Sequence, residues 1–99
     1  MVGLFSFFST KSQYSQIEHP FTELELERMI THEHLNTLDQ TQVELVRRAI
    51  LGRRGGDGKI SLRQIYEVLL QLKNQNKISK YDYAGLMKLF EKYFSQFSN

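Results

Sequence analysis

The chain has no cysteine among its 99 residues. That excludes disulfides and thiol chemistry, and it leans towards a reducing compartment, so a cytoplasmic protein is expected. Long apolar runs are missing too: none approaches the roughly 18 residues of a membrane span. The apolar start, Met1-Val2-Gly3-Leu4-Phe5-Ser6-Phe7-Phe8, is too short to span and lacks the basic region that opens a secretory signal. Catalytic sets are also lacking. Serine and histidine occur without a nucleophile elbow or an activating neighbour, and Glu23, Glu25 and Glu27 alternate round a helix as solvated carboxylates. A non-enzymatic protein without a cofactor is therefore expected.

What the chain does have is one local pattern written four times. An apolar residue precedes a helix-capping residue, two free positions, an acceptor side chain and further apolar residues at helical spacing. The copies are Phe21-Thr22-x-x-Glu25-Leu26, Leu38-Asp39-x-x-Gln42-Val43, Ile60-Ser61-x-x-Gln64-Ile65 and Ile78-Ser79-x-x-Asp82-Tyr83. In each, the cap side chain accepts from a backbone N–H that has no helical partner, the acceptor reaches back, and the flanking apolar pair staples the entry. The intervals of 17, 22 and 18 residues are one helix plus a turn each. Shared capping chemistry explains them better than a solenoid, whose repeats run to roughly 34–47 residues. Short connections favour antiparallel neighbours.

The expected architecture is all-α: a single compact four-helix domain over residues 21–99, preceded by a leader and linker over 1–20 that is mobile or partner-dependent. Residues 9–20 are polar, weakly patterned and end at Pro20. The first helix runs from Thr22 to about His34, with Leu24, Leu26, Met29 and Ile30 apolar. The second starts at Asp39 and ends near Gly52, a candidate C′ glycine with φ > 0. The third runs from Ser61 to about Lys73, and Asn74–Lys77 turns the chain. The fourth starts after Ser79 and reaches towards Gln96, interrupted only by the weak helix former Gly85.

Charge is small in total, +2, but unevenly placed. Residues 18–44 carry seven carboxylates against Arg28, and residues 47–63 carry six cations against Asp57. Such blocks either attract each other within one molecule or present a basic face to an acidic partner. The basic candidates are Arg47, Arg48, Arg53, Arg54, Lys59 and Arg63, around the loop 53–59. They make nucleic-acid binding an alternative function, although no DNA- or RNA-binding signature accompanies them. The loop fails as a phosphate cradle: Arg53 stands where Walker A needs its first glycine, Ile60 replaces the hydroxyl residue, and no strand is expected before it. His32-Glu33-His34 suggests a metal site, but residues two apart on a helix face different ways, and His19 or a distant carboxylate would have to complete it.

Aromatics supply the other candidate. Tyr83, Met87, Phe90, Phe94 and Phe97 form a stripe at spacings of three and four on the last helix. That is more apolar surface than one groove needs, and an exposed remainder marks a protein partner or self-association into a homo-oligomer. The leader is a further occupant of that groove, or an element dipping into a membrane surface.

Asp57-Gly58-Lys59-Ile60-Ser61, followed by Ile65, Val68, Leu69 and Leu72, resembles the second half of an EF-hand loop and its exiting helix. The resemblance covers about residues 46–72, with Gly58 as the turn glycine at loop position six and Ile60 as the bridging apolar residue at position eight. Asn76-Lys77-Ile78-Ser79 with Tyr83, Leu86, Met87 and Phe90 repeats the frame over 76–90. Calcium needs several oxygen donors. Here position one is Arg53, position three is Gly55 and position twelve is Gln64, leaving Asp57 alone with a suitable charge. The resemblance therefore implies a degenerate, metal-free helix-loop-helix. The expected function is a protein-protein interaction or regulatory module. Small basic helical proteins of the bacteriocin-immunity type are similar in size and helix count, which gives a membrane-surface role as a third alternative.

Overall fold

The computed structural model describes residues 14–32 and 38–97. Along the chain, β1 (Glu18–Pro20) leads into α1 (Glu23–His32), then α2 (Gln40–Arg53), β2 (Lys59–Ser61), α3 (Leu62–Asn74) and α4 (Lys80–Ser95).

All four helices start where the caps place them, and each cap is reciprocal. The Glu25 N–H donates to Thr22 Oγ1 at 3.1 Å while the Thr22 N–H donates to Glu25 Oε1 at 2.8 Å. Asp39 with Gln42, Ser61 with Gln64 and Ser79 with Asp82 repeat the exchange. The staple residues flanking two of these caps, Phe21 with Leu26 and Ile60 with Ile65, are fully buried. Each entry thus fixes both the helix start and its angle into the core. α3 ends at a Schellman turn: Lys77 N–H donates to Leu72 O at 2.9 Å and Asn76 N–H to Lys73 O at 3.0 Å. Asn76 takes φ 59°, which asparagine tolerates better than most residues.

Successive helices pack on one another, α1 on α2, α2 on α3 and α3 on α4. The buried stripes are Leu26 and Ile30, Val46 and Ile50, Ile65 and Leu69, and Leu86 and Phe90. Phe21 closes the array from the chain's beginning to its end. Its ring meets Phe90 edge-on at 6.0 Å and Tyr93 at 5.2 Å.

Three expectations need correction. The molecule is mostly helical but not purely so. β1 pairs antiparallel with β2 in the register Glu18↔Ser61, His19↔Ile60 and Pro20↔Lys59. The ladder continues through a 3.1 Å bond from the Phe21 N–H to Gly58 O. An N-cap residue requires extended backbone, and Ser61 (φ −103°, ψ 160°) is both the end of β2 and the cap of α3. Two such entries lying side by side satisfy each other's backbone groups.

The linker expectation also fails over residues 14–20. Tyr14 stacks on Tyr66 at 4.7 Å, and His19 stacks on Phe97 at 4.3 Å. Gly52, finally, is not a left-handed cap. α2 runs through it to Arg53, and Arg54 ends the helix in extended backbone (φ −63°, ψ 150°). The left-handed glycine is Gly58 at φ 77°. α1 is described to His32, and Glu33 and His34 of the histidine cluster lie outside the described residues, as do Phe5, Phe7 and Phe8.

Candidate functional site

The six basic candidates do not form one bare patch. Arg47 projects from α2 towards α1, paired with Glu23 and with Glu44 (2.6 Å). Arg48 shares Glu44 at 2.9 Å. Hydrogen bonds from Arg47 and then Arg48 hold the Glu44 carboxyl below its ordinary value. Arg53, at the end of α2, and Arg63, in the first turn of α3, lie 3.8 and 3.5 Å from the same carboxylate, Glu67. Lys59 is exposed on β2.

Arg54 is a brace. Its Nη1 donates to the Phe21 carbonyl at 2.9 Å and its Nε to Leu51 O at 3.3 Å, tying the end of α2 to the start of α1. The loop beneath is closed by its own backbone: Gly58 N–H to Gly55 O and Gly55 N–H to Lys59 O, both 2.9 Å. Asp57 Oδ1 accepts from the Lys59 N–H at 3.1 Å. No cluster of three or more histidine and carboxylate side chains is placed to hold a metal ion among the described residues.

The apolar candidates are corrected more sharply. Met87, Phe90 and Phe94 are buried, and Tyr83 and Phe97 are half-buried. Much of the aromatic surface of α4 is covered by Phe21, against Phe90, Tyr93 and Phe94, and by His19, against Phe94 and Phe97, from the chain's own N-terminal segment. Burial, with Tyr66 and Tyr14 nearby, pushes the Tyr83 hydroxyl up to about 12. Burial also raises Tyr93, whose hydroxyl donates to Glu25 Oε2 at 2.8 Å. Glu25 is in turn held below its ordinary value, first by the Thr22 backbone N–H and then by Tyr93 and the Thr22 hydroxyl, against an opposing desolvation.

Open surface remains beside Phe94 and Phe97, where Ser15, Ile17 and His19 line a smaller groove of about 280 Å³, and also between α1 and α2. A groove of about 530 Å³ is lined by Leu24, Glu27, Arg28 and Ile30 from α1 and by Gln40, Val43, Glu44 and Arg47 from α2. Leu24 is 55% exposed. Two residues back from Leu26, it lies about 200° round the helix, off the core stripe. That offset is a signal readable in the sequence, masked there by grouping Leu24 with the stripe. The backbone N–H of Leu24, second residue of the helix, precedes the first possible intrahelical donor. It has no partner among the described residues. Apolar floor, mixed-charge rim and a bare N–H donor suit an extended polypeptide better than a small polar substrate.

No family model, no curated protein and no solved structure matches the chain.

Proposed function

We propose that this protein is a non-enzymatic interaction module whose α1–α2 groove holds a polypeptide segment. The observation that carries the reading is Leu24, a large apolar side chain more than half exposed beside Ile30 and Val43. Gly58 at φ 77°, Ile60 in the β1–β2 ladder and the Arg54 brace support a metal-free, EF-hand-like loop that orients α2 and α3. Nucleic-acid binding is the weaker reading, because Arg47, Arg48, Arg53 and Arg63 lie beside carboxylates. No helix among the described residues is long and apolar enough to cross a membrane.

Peptide display against the full chain tests the reading. Selected peptides are expected to shift the amide resonances of Leu24, Glu27 and Val43, and to bind Leu24→Asp at least about tenfold more weakly, the loss of one apolar anchor. Thermal unfolding of Leu24→Asp checks that the fold persists. Selection that yields no peptide perturbing these residues, or binding indifferent to Leu24→Asp, overturns it.

A further inference from the structure

The segment that enters β1 crosses the α3–α4 unit and is pinned at two points. At one, Tyr14 stacks on Tyr66 of α3 at 4.7 Å, and Ser15 O accepts the Arg63 N–H at 3.0 Å. At the other, His19 stacks on Phe97 at 4.3 Å and meets Phe94 edge-on at 6.1 Å. Ile17, between them, is not pinned. Its N–H donates to Ser15 Oγ at 3.1 Å, and its side chain is 68% exposed. The segment bridges α4 here, and a cavity of about 280 Å³ remains between the two.

The walls of this cavity are apolar, with Ile17 on one side and Leu62, Phe94 and Phe97 on the other. The polar groups that α4 contributes are acceptors. Glu91 and Ser95 lie one turn apart on the same flank of the helix. Ser95 gives its hydroxyl hydrogen to Lys92 O at 2.7 Å, so towards a ligand its oxygen can only accept. Among the described residues, the Glu91 carboxylate has one partner, the Tyr14 hydroxyl at 3.2 Å, and no ion pair. Glu44 and Glu67, by contrast, lie beside arginines. No lysine or arginine is among the described residues that line the cavity. Its fixed charge is therefore of one sign.

We propose that this cavity binds a small organic ammonium ion, a primary amine on an aromatic or branched-alkyl body. The ammonium donates to Glu91, and the body lies between Ile17 and Phe97. An ammonium head offers three donors and no acceptor, which matches the acceptors on α4. Covering Ile17 takes an exposed apolar side chain out of water and adds affinity that is independent of charge. The volume lies at the small end of ligand sites, so one ring with a short tail fits and a drug-sized molecule does not. A carboxylate of the same shape is repelled by Glu91. The site is separate from the α1–α2 groove and stands whether or not that groove holds a peptide.

NMR titration of the full chain with phenethylamine, 2-phenylethanol and phenylacetate, at one pH and ionic strength, tests the proposal. The three probes share a body and differ in the head group. Phenethylamine is expected to bind with about millimolar affinity. It should shift resonances of Ile17, His19 and Phe97 and leave those of Leu24 and Val43 in place. The alcohol should bind about threefold to fivefold more weakly, the size of a partly exposed ion pair, and phenylacetate more weakly still. Glu91→Gln should bring the amine down to the affinity of the alcohol. Ile17→Ser, at a residue too exposed to matter for folding, should weaken amine and alcohol by the same factor, about threefold. Thermal unfolding of both variants checks that the fold is kept. Equal affinity for the three head groups, amine binding indifferent to Glu91→Gln, or equal shifts at Leu24 and Val43 overturns the proposal. So does the absence of any shift at Ile17 and Phe97 in about 10 mM phenethylamine.

Discussion

The α1–α2 and α3–α4 pairs start with the same reciprocal caps and are joined by different forces. α3 and α4 meet through Ile65, Leu69, Leu72, Leu86 and Phe90, and the ring of Phe21 inserts beside them. α1 and α2 share Leu26, Ile30, Val46 and Ile50, then rely on Arg47 bridging Glu23 and Glu44 at the surface. Caps fix where a helix begins, whereas the residues facing its neighbour decide how strongly it is held. The half secured partly by ion pairs is the half that keeps an open groove.

The largest contrast is expected between Phe90→Ala and Leu24→Ala. Removing the fully buried Phe90 should cost about 3–5 kcal/mol through lost transfer energy and a cavity. Removing the exposed Leu24 should stay within about 0.5 kcal/mol. Denaturant unfolding of both measures the difference, and similar losses would erase the distinction between core and groove.

Gly58→Ala comes next. At φ 77° a Cβ costs about 1–2 kcal/mol. Gly52→Ala, in ordinary helix with nothing within 4 Å, should stabilise slightly. Opposite signs in thermal unfolding would fix which glycine makes the turn.

Paired cap substitutions sharpen the comparison of the two units. Thr22→Ala and Ser61→Ala should each cost about 1 kcal/mol. Ser61 should cost more, because it is 2% exposed and water cannot replace its bond to the Gln64 N–H. Equal losses would show that burying the cap adds nothing to its strength.

Smallest are the electrostatic effects, which separate the units by pH and salt. Glu25 and Glu44 are held below their ordinary value of 4.5 in the fold. The stability they contribute is fully present above that value and is lost as the pH falls through their lowered folded values. Tyr83 and Tyr93 are raised from 10.0, so their contribution is full below pH 10 and is lost as the pH rises through their folded values, about 12 for Tyr83. Arg47→Met should flatten the acid limb through Glu44 and leave the alkaline limb unchanged, with an effect that shrinks in 1 M salt. Unfolding followed by circular dichroism and tyrosinate absorbance reads both limbs.

The caps were legible because each is a contact between residues three apart, and the helical stripes because they repeat every three or four positions. The groove was legible only in part. Leu24 stands off the stripe of Leu26 and Ile30, but whether α2 covers it depends on helix packing. The apolar candidates on α4 were misread because their cover comes from far away. Phe21 meets Phe90 and Phe94, and His19 stacks on Phe97, all from the other end of the chain.

The residues themselves thus determined four helix starts, the apolar stripe along each helix and the absence of thiol chemistry, all properties of composition or of neighbours within one turn. Tertiary structure alone decided the β1–β2 pairing, the Arg54 brace to Phe21 and the burial of the α4 aromatics. Those depend on segments brought together by collapse, and a side chain's own sequence neighbours carry no record of what a distant segment will lay across it.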